Sequence, residues 1–289
     1  MIASATRAGL HAARFVGIRQ VPGSPIPLPA PAASLPRSWP VAEPDAPTLI
    51  YFPTCLARMF GGDDVPAAFA KLCRAAGVGL VVPPAANGLC CGQPFSSKGF
   101  PGAADSAAKR TANALINAQS GSTTLVVTDT STCASQLDHI DALLNEAQRA
   151  RWQSLTRLHP AQAVTTVLMP RLIARGALVP GDVALVAHPT CSEHRHGWVG
   201  DMRAAALGVT TAAVTVPTAA GCCGMAGDKG WATPALTIGA TAREGGEAAH
   251  CGATAGVTTS ATCAMAMSVA SGLPYRHLFA LLAERLVRH

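Results

Sequence analysis

Short apolar runs alternate with longer amphipathic stretches along most of this chain. Thr48–Phe52, Gly79–Val82 and Thr123–Thr128 are apolar or β-branched runs too short for helices, and each reads as a buried strand. Val65–Ala76 and about Ala103–Gln119 instead place apolar side chains every three or four residues, the period of a helix with one buried face. The order then recurs as strand Val183–Ala187, helix Met202–Leu207, strand Ala212–Val216, helix Thr233–Ala249, strand Gly256–Thr259 and a helix to Ser271. Leu137–Leu158 and Thr165–Ala174 read as helices joining the halves, and Arg276–Val287 as a closing helix. Strands separated by helices of this length indicate βαβ units. The expected fold class is α/β: tandem duplicated domains, each a small parallel sheet flanked by helices, related by pseudo-two-fold symmetry.

The N-terminal part lacks this rhythm. Ala5–Ile18 reads as a short helix, and the prolines that recur from Pro22 to Pro47 predict an extended, polyproline-like linker. The expected division is 1–47 as helix remnant and linker, 48–180 as the first domain with its connecting helices, and 181–289 as the second. Such a beginning suggests the later part of a longer polypeptide. Residues 1–42 contain no acidic residue, a faint likeness to a transit peptide; in so Ala- and Arg-rich a segment a linker is the simpler reading.

Composition narrows the possibilities. The chain has 289 residues, 49% hydrophobic but only 4% aromatic and 13% charged, with a net charge of +6. The positive charge is scattered and forms no basic stripe, which argues against a nucleic-acid partner. No apolar run approaches the ~20 residues of a membrane span. Ten cysteines without a secretory signal point to a reducing compartment, and to metal or redox use rather than a disulfide framework.

Those cysteines carry the strongest pattern. Pro-Thr-Cys occurs at Cys55 and Cys191, Cys-Cys-Gly at Cys90/Cys91 and Cys222/Cys223, and Thr-Cys at Cys133 and Cys263, in the same order and at nearly constant offset. The chain is therefore internally duplicated. Each half supplies four thiols from three strand ends, and in a parallel sheet the C-terminal strand ends gather on one edge, where helix N-termini favour anions. Four thiolates suit a [4Fe–4S] cluster or a tetrahedral zinc ion. Adjacent cysteines chelate a single small ion awkwardly and span a larger cluster more easily, so iron–sulfur is favoured over zinc. Cys73 and Cys251 have no counterparts and read as structural.

The order Cys…Cys-Cys-Gly…Cys resembles the cysteine-rich CCG domain of heterodisulfide reductases and of the glycolate oxidase iron–sulfur protein. More narrowly, Tyr51-Phe52-Pro53-Thr54-Cys55-Leu56-Ala57-Arg58-Met59-Phe60, Leu89–Phe100, His188-Pro189-Thr190-Cys191 and Gly221–Gly230 look like the C-terminal iron–sulfur region of FAD-linked D-lactate dehydrogenases. The resemblance covers about residues 48–289. It implies one or two [4Fe–4S] clusters held by Cys55, Cys90, Cys91, Cys133, Cys191, Cys222, Cys223 and Cys263. It also implies FAD on a partner or on an upstream domain, an acceptor that is a quinone, a cytochrome or a disulfide, and a cytoplasmic location compatible with peripheral contact at the inner membrane face. An oxidoreductase component of this kind does not oxidise a hydroxy acid without its flavin. A cluster-based thiol/disulfide reductase and a zinc-stabilised structural module are the alternative functions. The full family motif ends in Cys-x-x-Cys, but the first of that pair is Thr130 in one half and Ser260 in the other, leaving four candidate thiolates per half rather than five.

Other residues stand near these motifs. His188, His194 and His196 surround Cys191; a ligand role is open to them, and His188 reads best as a hydrogen-bonding neighbour of the site. Lys98 and Lys229 follow the two Cys-Cys-Gly loops at matching places, which tilts them modestly towards function over solvated loop lysines. Arg58, one helical turn after Cys55, faces either the site or solvent. Gly92 and Gly224 are expected where the backbone turns tightly beside the cluster.

Overall fold

The computed structural model describes residues 2–120 and 125–287. After the N-terminal helix α1 (Ile2–Phe15), the first half runs β1 (Thr48–Phe52), α2 (Cys55–Met59), α3 (Val65–Ala75), β2 (Gly79–Val81), α4 (Gln93–Ser96), α5 (Pro101–Ala118), β3 (Leu125–Thr128), α6 (Ser131–Leu137), α7 (Glu146–Gln153), β4 (Thr156–Leu158) and α8 (Pro160–Ala163). A π-helical turn, Val164–Leu168, and α9 (Met169–Ala174) lead to the second half. This comprises β5 (Leu185–Ala187), α10 (Cys191–His196), α11 (Val199–Ala206), β6 (Val214–Thr215), α12 (Lys229–Ala232), α13 (Pro234–His250), β7 (Ala255–Thr258), α14 (Ala261–Ser271), β8 (Tyr275–His277) and α15 (Leu278–Ala283).

The two sheets have the same order, β2-β1-β3-β4 and β6-β5-β7-β8, and every strand pair is parallel. The central strands β1, β3, β5 and β7 are buried along nearly their whole length, as parallel strands covered on both faces must be. β1 matches its expected span residue for residue, and the other expected strands agree to within two residues at each end that is described. Thr123 and Thr124, the expected start of β3, lie outside the described residues.

The fourth strand of each sheet corrects the sequence reading. β4 lies at the end of the expected helix Leu137–Leu158, and β8 at the start of the expected helix Arg276–Val287. Each is three residues long, too short for alternation to register, and each runs directly into a helix. Both lead into a histidine that caps that helix: His159 Nδ1 accepts from Gln162 N at 3.4 Å, and His277 Nδ1 from Phe279 N at 3.1 Å. The expected helix Thr165–Ala174 is interrupted by the π turn just before Pro170, which has no N–H to give the preceding turn.

The halves pack reciprocally. α3 of the first half lies on α15 of the second, and α11 of the second half lies on α8 of the first, the equivalent pair. The interface is continuous with the core: Phe69 stacks on Phe279 with ring centroids 4.6 Å apart and meets Tyr51 at 4.8 Å, among Leu49, Leu172, Met202 and Leu282. Among the described residues no helix is long and apolar enough to cross a membrane.

The proline-rich segment is extended, but it is laid against the body rather than free. Pro31 bridges to Phe60, Gly61 N–H donates to Ala30 O at 2.7 Å, and Leu80 N–H to Pro40 O at 2.8 Å. Ile26 is completely buried, against Cys223, Met225 and Cys263 of the second half.

Candidate metal centres

Strand order explains why the cysteines meet. The C-terminal ends of β1 and β3, neighbours in the first sheet, deliver Cys55 and Cys133, and the chain leaving β2 delivers Cys90 and Cys91 beside them. β5, β7 and β6 repeat this for Cys191, Cys263 and the Cys222/Cys223 loop. Each set lies at the switch point of its sheet, where crossovers leave in opposite directions and open a crevice.

In the first half the four sulfurs form a chain of contacts. Cys91 Sγ is 3.2 Å from Cys133 Sγ, the Cys55 thiol donates to the Cys90 sulfur, and Cys90 touches Cys91. Cys55, Cys91 and Cys133 are buried and Cys90 is half-buried. With the Cys55 thiol and the Gly92 N–H (3.5 Å) directed at its sulfur, Cys91 in contact and Arg58 nearby, Cys90 is held as a thiolate, its pKa pulled down to about 3. Cys55 is pushed up because it donates to that thiolate and is buried, and Cys91 because of its hydrogen bond to Cys133, then its contact with Cys90 and its burial.

The second half repeats the contacts with a more open mouth. Cys223 Sγ lies 3.1 Å from Cys263 Sγ, and Cys191 donates to Cys222, whose sulfur also receives the Gly224 N–H at 3.4 Å. Cys191 and Cys222 are exposed, whereas Cys223 and Cys263 are buried. Cys222 is lowered to about 6 by Cys191, and Cys223 to about 5 by Cys263 and His188. Cys191 and Cys263 rise accordingly.

The double-cysteine loops are seated on α5 and α13 in the same way. Gly92 has φ +94° and Gly224 φ +71°, and a Cβ there would come within 2.6 Å of the carbonyl oxygens of Ala104 and Leu236 respectively. Glycine is required twice over, by the left-handed turn and by the close approach. Thr111 on α5 accepts from Cys90 N–H at 3.1 Å and donates to Cys90 O at 2.7 Å. Its counterpart on α13, Glu244, accepts from Gly221 N–H at 3.2 Å.

Around this shared skeleton the halves differ. Arg58 proves buried: its guanidinium donates to the carbonyls of Pro53 (3.1 Å), Thr54 (3.3 Å), Asn87 and Leu89, tying the end of β1 to the loop that carries Cys90. The equivalent His194 is exposed. The backbone N–H of Thr54 donates to Asp129 at 3.2 Å, and Tyr51 Oη donates to the same carboxylate at 2.6 Å. In the second half Thr190 N–H donates at 2.7 Å to Glu193, which comes from α10 instead and also accepts from Thr259 at 2.7 Å. Burial raises the Glu193 carboxyl.

His188 stands just past the end of β5, where the first half has Phe52. It is completely buried, and its Nδ1 is 2.6 Å from Glu244 Oε1. Nε2 makes no hydrogen bond of normal geometry, and the ring lies against the sulfurs: one of its nitrogens, Cys223 Sγ and Cys263 Sγ are all within 4.8 Å of one another. Burial works against the imidazolium, but contact with Cys223 and Glu244 outweighs it and raises His188 to about 9.

Thr130 and Ser260, in place of a further cysteine, bond to hydroxyls: Thr130 Oγ1 to Thr54 Oγ1 at 3.1 Å, and Ser260 Oγ to Thr262 Oγ1 at 3.2 Å, with Ser260 also touching Cys263. Lys98 pairs with Asp228 at 2.6 Å, bringing together the turns that follow the two loops, while Lys229 is exposed. His196 turns away to Ser135 and stacks on Trp198. Cys73 is buried in the inter-half core, and the Cys251 thiol donates to Ala248 O. Glu244 and Thr111 were not foreseen in the sequence; the matching prolines that open α5 and α13 place them in register and are the only sequence signal for them.

Each half thus offers four sulfur donors, gathered from separate strand ends, with Cys90, Cys222 and Cys223 poised as thiolates. This is donor chemistry suited to a metal cluster. No curated protein matches the chain. The CCG family model, described as a cysteine-rich domain, matches residues 49–138 and 185–268, together more than half of the sequence and one match per sheet. The chain belongs to the CCG cysteine-rich domain family, with two copies of the domain in tandem.

Proposed function

We propose that the protein is an iron–sulfur electron-transfer module of an FAD-dependent D-lactate dehydrogenase or related 2-hydroxy-acid oxidase system. The observation that carries this reading is the double convergence of four cysteines, Cys55, Cys90, Cys91 and Cys133, and Cys191, Cys222, Cys223 and Cys263, at the switch points of two equivalent sheets. A [4Fe–4S] cluster bound there would accept and release single electrons. The protein's part is to hold and shield the ligands. α5 and α13 fix the double-cysteine loops through Thr111 and Glu244, Arg58 supplies a buried positive charge beside Cys55 and Cys90, and Ile26 keeps water from Cys223 and Cys263. Electrons would come from a flavoprotein and leave to a quinone, cytochrome or disulfide.

Exposure of the Cys191–Cys222 pair favours a second reading, thiol/disulfide reduction at the second centre. Cleaving one disulfide to two thiols takes two electrons, supplied by the flavoprotein, and two protons from solvent.

Anaerobic purification followed by iron, sulfide and zinc analysis and electron paramagnetic resonance of the dithionite-reduced protein tests the primary reading. The expected result is a brown protein with iron and labile sulfide in equal amounts and a signal on reduction. A colourless, zinc-loaded, redox-silent protein would overturn it. Turnover of a heterodisulfide with reduced protein would favour the second reading.

A further inference from the structure

We propose that the second centre is held by a mixed set of nitrogen and sulfur ligands, with His188 coordinating metal through Nε2 beside Cys223 and Cys263, whereas the first centre is held by thiolates alone. The inference rests on metal binding by the CCG loops, as in the reading above, and adds a ligand to it.

Three observations carry it. His188 is fully buried with Nε2 unpartnered and its ring against Cys223, although a buried polar nitrogen without a partner is costly. A ring nitrogen of His188, Cys223 Sγ and Cys263 Sγ already lie within 4.8 Å of one another, within reach of a common metal centre. The other ring nitrogen is fixed: Nδ1 donates to Glu244 Oε1 at 2.6 Å, and Glu244 Oε2 is held by Gly221 N–H at the root of the Cys222/Cys223 loop. With Nδ1–H gripped by a carboxylate, Nε2 is the nitrogen left to give up its proton and take a metal, the arrangement usual for metal-bound histidine. In the first half the same strand position is Phe52 and the same helix position is Thr111, which bonds the backbone of Cys90; neither can reproduce the imidazole. His188 and Glu244 thus differ from their counterparts together, as members of one device.

The test compares the full-length protein with His188→Phe, which installs the residue of the first half, and with His188→Cys, which supplies a thiolate instead. Circular dichroism checks the fold of each. If His188→Phe does not fold, His188→Cys carries the comparison. Pulsed electron paramagnetic resonance of the reduced wild type is expected to show a strongly coupled nitrogen on one centre. Both variants should lose it, while the thiolate-only signal of the first centre persists. His188→Cys should keep the full iron content, and His188→Phe should lose iron from the second centre.

Iron and sulfide in both centres with only weak nitrogen coupling, unchanged in either variant, would overturn the ligation and leave the electron-transfer reading standing. Should the protein hold zinc instead, that reading falls, and X-ray absorption on the same variants still decides ligation. Zinc–nitrogen scattering lost on substitution supports it, and sulfur-only scattering in the wild type refutes it. A wild type that takes up neither metal after reconstitution overturns both.

Discussion

Arg58 offers the most demanding test of how the first centre is built. Its buried guanidinium donates to carbonyls on both sides of the crevice, Pro53 and Thr54 at the end of β1, and Asn87 and Leu89 before the double cysteine. Arg58→Met keeps much of the side-chain volume and removes every one of these donors. Thr54 O retains its helical partner, Arg58 N–H, and exposed Asn87 can turn to water. Pro53 and Leu89 are buried and lose a charged donor. An orphaned buried acceptor costs about 1–3 kcal/mol, so two of them predict a loss of roughly 2–6 kcal/mol, which spans the range seen when a buried charged arrangement is broken. Arg58→Lys should lie between, because one ammonium cannot span both pairs of carbonyls. The assay is urea unfolding of the metal-free protein, followed by iron counting after anaerobic reconstitution and gel filtration. Iron should fall selectively in the first half, since the second uses no equivalent residue. A stability change below about 0.5 kcal/mol, with unaltered iron in both halves, would refute the argument that Arg58 pins the loop.

Gly92→Ala should cost roughly 1–3 kcal/mol and weaken iron retention in the first half, read by thermal melting and iron analysis; unchanged retention would show that the loop seat is dispensable. Burial lowers the pKa of both His159 and His277 below the ordinary value of about 6.5, despite the carboxylates near them. The unfolded chain therefore binds these protons first, and stability should fall as pH drops below about 6.5. Asn at both positions keeps a capping oxygen and should flatten urea midpoints compared between about pH 7.5 and about pH 5.5. Cys73→Ala should cost about 1 kcal/mol for a small cavity in the inter-half core and leave iron unchanged, whereas Cys91→Ala should release iron from the first half.

What the sequence reveals depends on the length over which its physics repeats. The duplicated cysteines were legible because three motifs recur in order, and β1 because Thr48–Phe52 is a continuous buried run. β4 and β8 were not, because Thr156–Leu158 and Tyr275–His277 each take only a few ladder positions before the chain turns into a helix. The docking of the proline-rich segment was illegible for a different reason. Prolines announce extended backbone and say nothing of what it lies against, so the burial of Ile26 had no local sign. Glu244 is 56 residues from His188, and only the folded register of α13 against β5 brings them together.

The buried carboxylates beneath the two centres have a consequence for reading any duplicated chain. Asp129 belongs to the end of β3, yet the residue at its place in the second half is Thr259; Glu193 belongs to α10, yet its place in the first half is Ala57. What has been inherited is a carboxyl acceptor under the strand-end amide of Thr54 or Thr190, while its address in the chain has moved between sheet and helix. Position-by-position transfer from one copy to the other would assign Thr259 and Ala57 a task that neither performs. The duplicated unit is a pattern of acceptor positions, and side chains are free to exchange the duty of filling them.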